Sequence, residues 1–330
     1  RMLSFYATVG VLFVLAIHHY YGLMFLSVTA ATFLLGKFLA ASRALPVATW
    51  ILNLGLLFLL YYCDGFKFAW LHSGLAFMDR SKGLIGYDTF FRFLMLRHIS
   101  FNMDFYWALR EKPLSRNIMD PSVPEEKRRK EQHLPLPAYS LCNLLAYVYY
   151  PPLYFAGPLL SYNSFCSQVV RPFTSHTWRQ LVWLMAKVLL YFLLFDIYLH
   201  FFYWNLFNQV GFWKTRLPGF AVPMCAYWVL NYMFMKFLII WRFFRTVALF
   251  DGIESPENMT NCINNNYTFA GFWRSWHSSF NLWIIRYLYI PLGGRNTQLI
   301  TIWIIFFFVG LWHDFWWEWI AWAMLNCVFF

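Results

Sequence analysis

Charged residues are scarce in this sequence. Only 12% of the 330 residues are Asp, Glu, Lys or Arg, about half the usual share, whereas 60% are hydrophobic and 23% are aromatic. Because so few charges cannot cover a water-exposed surface, the composition excludes an ordinary soluble globular protein. Charges are absent altogether from residues 2–36, 44–63, 132–170, 217–235 and 296–313. Stretches of that length are typical of segments that cross a lipid bilayer.

Closely spaced cysteines are also missing. The six cysteines lie far apart, without a CxxC pair or a short cysteine–histidine cluster, so neither a disulfide framework nor a metal site is indicated. The formal net charge is +11, and the basic residues lie mainly between and beside the apolar runs. That distribution favours cytosolic loops of a membrane protein over a face that binds nucleic acid.

The apolar runs predict an all-α, multi-pass transmembrane bundle of about nine or more spans, with additional re-entrant or interfacial segments. Spans are predicted at about 3–18, 22–41, 46–63, 178–206, 220–248, 278–292, 298–313 and 315–330. Residues 90–109 carry charges among Phe and Leu, which fits either an interfacial helix or a span that faces other helices. The chain stops inside an apolar run, and we interpret it as a fragment of a longer protein.

We expect a single polytopic membrane domain, 1–330, in three parts: N-terminal spans and an interfacial segment at 1–109, a charged loop at 110–137, and a core at 138–330. The loop mixes seven basic and five acidic residues with prolines, a composition typical of flexible chain. Prolines also interrupt the apolar run at 149–158, and such a break survives in a membrane only when it is buried in protein or lines a cavity.

Two histidines near the end of the sequence are candidates for chemistry. Residues four positions apart lie on the same face of a helix, so one predicted helix would place Trp273, His277 and Asn281 on one face. Pro291, Gly293 and Gly294 indicate a structural turn after this helix, and the next apolar helix ends at His313. If the two helices fold back antiparallel, a rise of 1.5 Å per residue brings both imidazoles to similar depth.

His313 lies at the end of a long aromatic span, between Trp312 and Asp314. Membrane interiors retain ionisable groups mainly for function, so we expect a functional role. The alternative is an interfacial histidine that bonds a carbonyl at the end of the span. For His277 the neighbouring Arg274 leaves the start of an interfacial helix as an equal alternative.

Three arginines near these histidines, Arg274, Arg286 and Arg295, are candidates for binding the phosphates of a large anionic substrate. Anchoring of helix ends on the cytosolic side explains them at least as well. Two glycosylation sequons begin at Asn258 and Asn266 and can take glycans only if their loop is lumenal.

Four segments together resemble the membrane-bound O-acyltransferase (MBOAT) family. They are YYPPLYFAGPLLS at 149–161, FDGIESPENMTNCINNNY at 250–267, FWRSWHSSFNLWIIRYLYIPLGG at 272–294 and GLWHD at 310–314. The resemblance is to the branch that contains glycerol uptake protein and hedgehog acyltransferase, and it covers about the last two-thirds of the chain.

The resemblance implies transfer of a fatty acyl group from acyl-CoA to an acceptor. His313 matches the near-invariant histidine of the family and inherits the role of general base, while His277 matches its second polar position. The residues then expected to position the acceptor or the oxyanion are Asn281, Trp273, Trp312 and Asp314. Asp314 stands where the family usually has glycine. No cofactor is required beyond acyl-CoA, although Cys262 matches a cysteine that binds haem in hedgehog acyltransferase.

We therefore expect an acyl-CoA-dependent O-acyltransferase of the endoplasmic reticulum membrane, with a lipid or GPI-anchor precursor as acceptor. Acyl-CoA, the acceptor and membrane lipids are the expected partners, and the sequence does not specify an oligomeric state. A proton-coupled glycerol transporter is one alternative, although no inverted repeat is visible. A catalytically silent regulator of protein acylation is another, and retention of both histidines argues against it.

Overall fold

The computed structural model describes residues 1–81, 83–110, 124–172, 175–204, 206 and 218–329. Within these ranges the protein is helical and has no β-strand, which confirms the all-α class. The helices are α1 (Met2–His18), α2 (Tyr20–Phe38), α3 (Leu45–Tyr62), α4 (Tyr87–Ala108), α5 (Glu125–Glu131), α6 (Leu141–Val148), α7 (Pro151–Ala156), α8 (Tyr162–Val170), α9 (Trp178–Phe201), α10 (Ala221–Phe250), α11 (Phe269–Ser275), α12 (Ser278–Ile284), α13 (Gln298–His313) and α14 (Trp317–Val328).

Four helical segments of the described chain are long and apolar enough to cross a membrane. They are Tyr20–Phe38, Leu45–Tyr62, Trp178–Phe201 and Gly294–His313. The prediction of nine or more spans is not confirmed. Charged side chains interrupt α4 and α10, and the expected span at 278–292 changes from an α-helix to a π-helical segment at Ile285–Tyr289.

The chain forms two compact units. The first contains Arg1–Phe155, Leu160–Pro172 and Leu282–Phe330, and the second contains Ala156–Leu159 and Phe173–Asn281. In the second unit α9 packs on α10, and its core is an apolar cluster of Phe234, Leu238, Trp241, Met259 and Ile263. The division into N-terminal spans, charged loop and core stays a prediction.

Helix α4 is the central helix of the first unit. It packs against α2, α3, α6 and α8, and 17 of its 22 residues are buried. The buried residues include polar ones: His98, for example, bonds through Nε2 to the hydroxyl of Thr29 at 3.0 Å. Residues 90–109 thus face other helices, as the second of the two predictions has it, but α4 is not among the four described segments that are long and apolar enough to be counted as spans.

Residues 149–155 of the proline-interrupted segment belong to the first unit, where an arginine of α4 binds the carbonyl groups on either side of the prolines. Proline has no N–H, so Pro152 cannot donate to the carbonyl of Val148 four residues before it. The buried guanidinium of Arg97 donates to that carbonyl and to the carbonyl of Leu153. Of the two predicted settings, burial in protein or the lining of a cavity, burial is confirmed at Leu153 and Tyr154.

A buried ion pair joins α4 to the π-helical segment. Arg286 Nη2 lies 2.8 Å from Asp104 Oδ1, and Tyr287 donates its hydroxyl to the same oxygen at 3.1 Å. The other oxygen of Asp104 accepts the backbone N–H of Asn163 at 3.1 Å. Arg286 is 3% exposed, so its charge is matched inside the protein by Asp104.

The charged loop at 110–137 is only partly described, since residues 111–123 lie outside the described ranges. Its remainder contains α5, so the prediction of flexible chain is wrong for Glu125–Glu131. Arg129 donates through Nε to Glu125 at 2.8 Å, a pair four residues apart that supports one helical turn. Arg129 also donates to the carbonyl of Arg171, which ties α5 to the end of α8.

Candidate active site

His313 is the last residue of α13, and a glycine one turn earlier brings this helix close to α14. A Cβ added at Gly310 would lie 3.0 Å from the Cβ of Ala323 and 3.1 Å from the carbonyl oxygen of Trp319. A larger residue would therefore push its neighbours away by a few tenths of an ångström, so glycine favours this close approach. The backbone leaves the helix at Asp314 in an extended conformation, with φ −171°.

The half-buried imidazole of His313 is surrounded by indole rings. It stacks on Trp319, with ring centroids 4.9 Å apart and planes 11° apart, and meets Trp322 edge-on at 5.7 Å. Its neighbour Trp312 adds a third contact at 5.1 Å. These rings fix the plane of the imidazole and cover much of its surface with apolar atoms.

An arginine of α4 binds the residues around His313. The guanidinium of Arg92 donates to the carbonyl of His313, and its Nη2 lies 3.4 Å from Asp314 Oδ2. In the opposite direction, the indole N–H of Trp312 donates to the Arg92 carbonyl at 3.1 Å. Asp314 accepts the N–H of Phe315 at 2.8 Å through its other oxygen. The Asp314 carboxylate is thus held by Arg92 and by the backbone.

The predicted turn before α13 is confirmed. Gly293 and Gly294 follow Pro291 with φ 107° and 59°, the left-handed region that glycine adopts most readily. Thr297 closes the turn by donating its hydroxyl to the Leu292 carbonyl at 2.6 Å.

The helix predicted around His277 is interrupted at that residue. Helix α11 ends at Ser275, α12 begins at Ser278, and His277 has φ 49°. The expectation of one continuous helix is therefore wrong. The four-residue spacing does not place Trp273, His277 and Asn281 on a single helical face.

Asn258 and the residues after it cause the interruption. The Asn258 carbonyl accepts the N–H of Ser278 at 3.0 Å, and its side-chain Oδ1 accepts the N–H of Ser279 at 3.0 Å. The next residue, Met259, forms an isolated antiparallel bridge with Trp276. These bonds replace those that would continue the helix.

The half-buried His277 is also stacked on an indole. Its ring lies 4.6 Å from that of Trp241, with the planes 17° apart, and 5.2 Å from the ring of Phe280. Trp241 belongs to the apolar core of the second unit and is 6% exposed. The orientation of His277 thus depends on both the core and the Asn258 contacts.

Among the residues predicted from sequence, the structure brings His313, Trp312 and Asp314 together. His277 and Asn281 lie in the second unit, joined by a bond from the Asn281 N–H to the His277 carbonyl at 3.1 Å. The convergence of the two imidazoles stays a prediction. Trp273, also in the second unit, packs edge-on against Phe272 and Phe269. Arg274 and Arg295 are exposed, whereas Arg286 is the buried partner of Asp104.

The roles of four residues that contact the two histidines or their neighbours were missed from the sequence: Arg92, Trp241, Asn258 and Trp319. The charge of Arg92 inside an apolar helix was a usable signal. The other three gave none, because aromatic and asparagine residues are common throughout this chain.

The loop that contains the sequons has a structural role. Asn258 is fully buried, so its amide is out of reach of a glycosylating enzyme in the folded protein. Asn266 donates its amide to the Cys262 carbonyl at 3.1 Å.

The Cys262 thiol is free and exposed. Haem ligation by Cys262 stays a prediction. No cluster of three His, Cys, Asp or Glu suited to a metal ion occurs within the described part of the chain.

The sequence is similar to membrane-bound O-acyltransferases of yeasts. Membrane-bound O-acyltransferase gup1 of Schizosaccharomyces pombe is 38% identical over 312 residues, which cover 92% of this chain and 53% of that protein. Membrane-bound O-acyltransferase GUP1 of Saccharomyces cerevisiae is 33% identical over 296 residues, which cover 87% of this chain and 53% of that protein. The chain thus spans about half the length of these two relatives.

A mammalian relative is more distant. Protein-cysteine N-palmitoyltransferase HHAT of Mus musculus is 26% identical over 197 residues, which cover 56% of this chain and 38% of that protein. The family model for MBOAT, the membrane-bound O-acyltransferase family, matches residues 38–330 and so includes both histidines, their indole partners, Arg92 and Asp104. This chain belongs to the membrane-bound O-acyltransferase family.

Proposed function

We propose that this chain forms the catalytic core of an acyltransferase that moves a long-chain fatty acyl group from acyl-CoA to a hydroxyl acceptor. The observation that carries the proposal is the setting of His313 at the end of α13, stacked on Trp319 and tied to Arg92. An ionisable ring held in one orientation among apolar rings is suited to proton transfer. Family membership supports the same reaction class.

In this reaction the neutral imidazole of His313 takes the proton of the acceptor hydroxyl as its oxygen attacks the thioester carbonyl. A bond forms between oxygen and the carbonyl carbon, giving a tetrahedral oxyanion. When this intermediate collapses, the carbon–sulfur bond breaks and the ester remains. The CoA thiolate leaves and recovers the proton from the imidazolium, so the enzyme returns to its starting state.

Side chains near the two histidines supply the remaining roles. We assign Asn281 and His277 to hydrogen bonds with the oxyanion, where each donor can contribute about 3 kcal/mol to the transition state. We assign Trp273, Trp312 and Asp314 to contacts with the acceptor. Asp314 is paired with Arg92, which partly neutralises the negative charge of the carboxylate near the imidazole.

For the CoA phosphates we assign the exposed Arg274 and Arg295, which are free of the constraint that holds Arg286. Arg286 is buried and bound to Asp104, so we assign it to the support of the π-helical segment and not to the phosphates. Haem at Cys262 is assigned no step of this reaction.

The acceptor is proposed to be a lipid or a GPI-anchor precursor in the endoplasmic reticulum membrane. The names of the two yeast relatives specify O-acyl transfer, which favours a hydroxyl group. The name of the mouse relative specifies N-palmitoyl transfer to a protein cysteine, so a peptide amine is the competing acceptor.

The test uses membranes that contain the full-length protein, labelled palmitoyl-CoA and a panel of lysolipid, GPI-precursor and peptide acceptors. We expect a labelled ester by mass spectrometry with wild type and none with His313→Ala. His200→Ala is the matched control, since His200 is an exposed histidine on α9. Full activity of His313→Ala contradicts the assignment of the base. Saturable glycerol flux into liposomes without acyl-CoA would favour transport instead.

A further inference from the structure

We propose that Arg92 is a positioning residue for His313. The inference rests on the proposed function, because it assigns to an arginine of α4 the task of holding the general base in its reactive orientation. Arg92 and His313 are 221 residues apart in the sequence and adjacent in the first unit.

The first step of the argument concerns the end of α13. The last four carbonyl groups of an α-helix have no N–H partner within the helix. The His313 carbonyl is one of these, and the Arg92 guanidinium donates to it. A cation at this end also opposes the partial negative charge of the helix C-terminus. Arg92 therefore stabilises the helix at the residue that carries the base.

The second step is that Arg92 contacts three consecutive residues. Its side chain binds the His313 carbonyl and the Asp314 carboxylate, and its own carbonyl accepts the Trp312 indole N–H at 3.1 Å. The neighbouring Phe93 packs edge-on against Trp312, with ring centroids 5.4 Å apart. The backbone at 312–314 is thus fixed against α4 from both sides of His313.

The third step links the backbone to the imidazole. Trp319 fixes the ring plane from α14, while Arg92 fixes the backbone from α4. Without Arg92, the His313 ring stays stacked on Trp319, but the backbone at His313 is no longer held against α4. A displacement of about 1 Å at a reacting group can lower the rate about 100-fold. Arg92 is assigned no contact with CoA, so substrate binding should change little.

Arginine suits this position better than lysine because two acceptors are bound at once. A guanidinium presents several N–H groups in a fixed planar fork, whereas a lysine ammonium is a single compact centre. Arg92→Lys keeps the charge and can satisfy either the His313 carbonyl or the Asp314 carboxylate. It should therefore retain intermediate activity.

The experiment compares Arg92→Gln, Arg92→Lys and Arg110→Gln in membranes that contain the full chain. Arg110 is the matched control and lies just beyond the C-terminal end of α4. Like Arg92 it donates to backbone carbonyls, in this case those of Ala41 and Ser42. With palmitoyl-CoA as the varied substrate, we expect Arg92→Gln to lower kcat about 10- to 100-fold and to leave KM within about twofold. Arg92→Lys should fall between it and wild type, and Arg110→Gln should match wild type.

A readout without turnover separates this inference from the proposed function. Amide hydrogen exchange is measured for the segment around Asp314 and Phe315, whose N–H groups donate to the Gly310 carbonyl and to Asp314 Oδ1. We expect exchange to be about tenfold faster in Arg92→Gln than in wild type and unchanged in Arg110→Gln.

The proposal is overturned by unchanged exchange in this segment, by a rise in KM at unchanged kcat, or by equal losses in Arg92→Gln and Arg110→Gln. If wild type has no acyl transfer activity, the proposed function fails while exchange still decides whether Arg92 holds His313 in place. If Arg92→Gln does not fold, Arg92→Lys is compared with Arg110→Gln in the same two assays.

Discussion

The two histidines are stacked on indole rings in nearly the same way, but their backbones are held by different means. His313 ends a regular helix and is bound by the charged groups of Arg92, with Asp314 beside it. His277 lies in a helix interruption with φ 49° and is held through neutral amide contacts of Asn258. The backbone position of His313 thus depends on an ion pair, and that of His277 depends on the loop that contains Asn258.

The same contrast applies to the interiors of the two units. The first unit buries the Asp104–Arg286 pair at the centre of its helices, whereas the cluster around Trp241 in the second unit is apolar. Removal of one partner of a buried ion pair is costly, because the remaining charge is left without solvent and without an opposite charge. The first unit should therefore respond most strongly to the loss of one charge.

The largest expected effect on stability comes from Asp104→Asn. This change removes the carboxylate and leaves the Arg286 guanidinium buried without an opposite charge, which should lower the free energy of unfolding by about 3–5 kcal/mol. Denaturant unfolding of the purified protein in detergent measures it. Asp88→Asn, an exposed carboxylate in the first turn of α4, should cost less than about 1 kcal/mol. Equal effects would contradict the central role of the buried pair.

A smaller effect is expected from Gly310→Ala. The new methyl group meets Ala323 and the Trp319 carbonyl, so α13 and α14 must separate at a cost of about 1–3 kcal/mol. Acyl transfer should fall as well, because Trp319 stacks on His313. Gly55→Ala is the control: nothing lies within 4 Å of a Cβ there, and the helix should gain about 0.5–1 kcal/mol. Unchanged stability of Gly310→Ala would show that this close approach is not required.

The smallest of the three stability effects is expected from Asn258→Ala, which removes the acceptor for the Ser279 N–H at a cost of about 1 kcal/mol. The backbone bond to Ser278 remains, so the interruption at His277 should persist with greater mobility. Thermal unfolding and acyl transfer are compared with Asn261→Ala, an exposed residue of the same loop. Identical behaviour of the two variants would remove Asn258 from the support of His277.

The sequence predicted those features that depend on neighbouring residues. Uninterrupted apolar runs located α1 to α3, and the Pro291–Gly294 segment located the turn before α13. The interruption at His277 was missed because residues about 20 positions earlier impose it. The contact between Arg92 and His313 was missed for the same reason, since no local pattern indicates a bond between residues 221 positions apart.

The most direct test of the central claim compares the acyl transfer rates of His313→Ala and His277→Ala in the same membrane preparation. If His313 is the general base, its loss lowers the rate about 100- to 10,000-fold, to the background of membranes without the protein. His277→Ala should retain a measurable rate, because its role is to position and to stabilise. Turnover by His313→Ala that equals or exceeds that of His277→Ala would contradict the account.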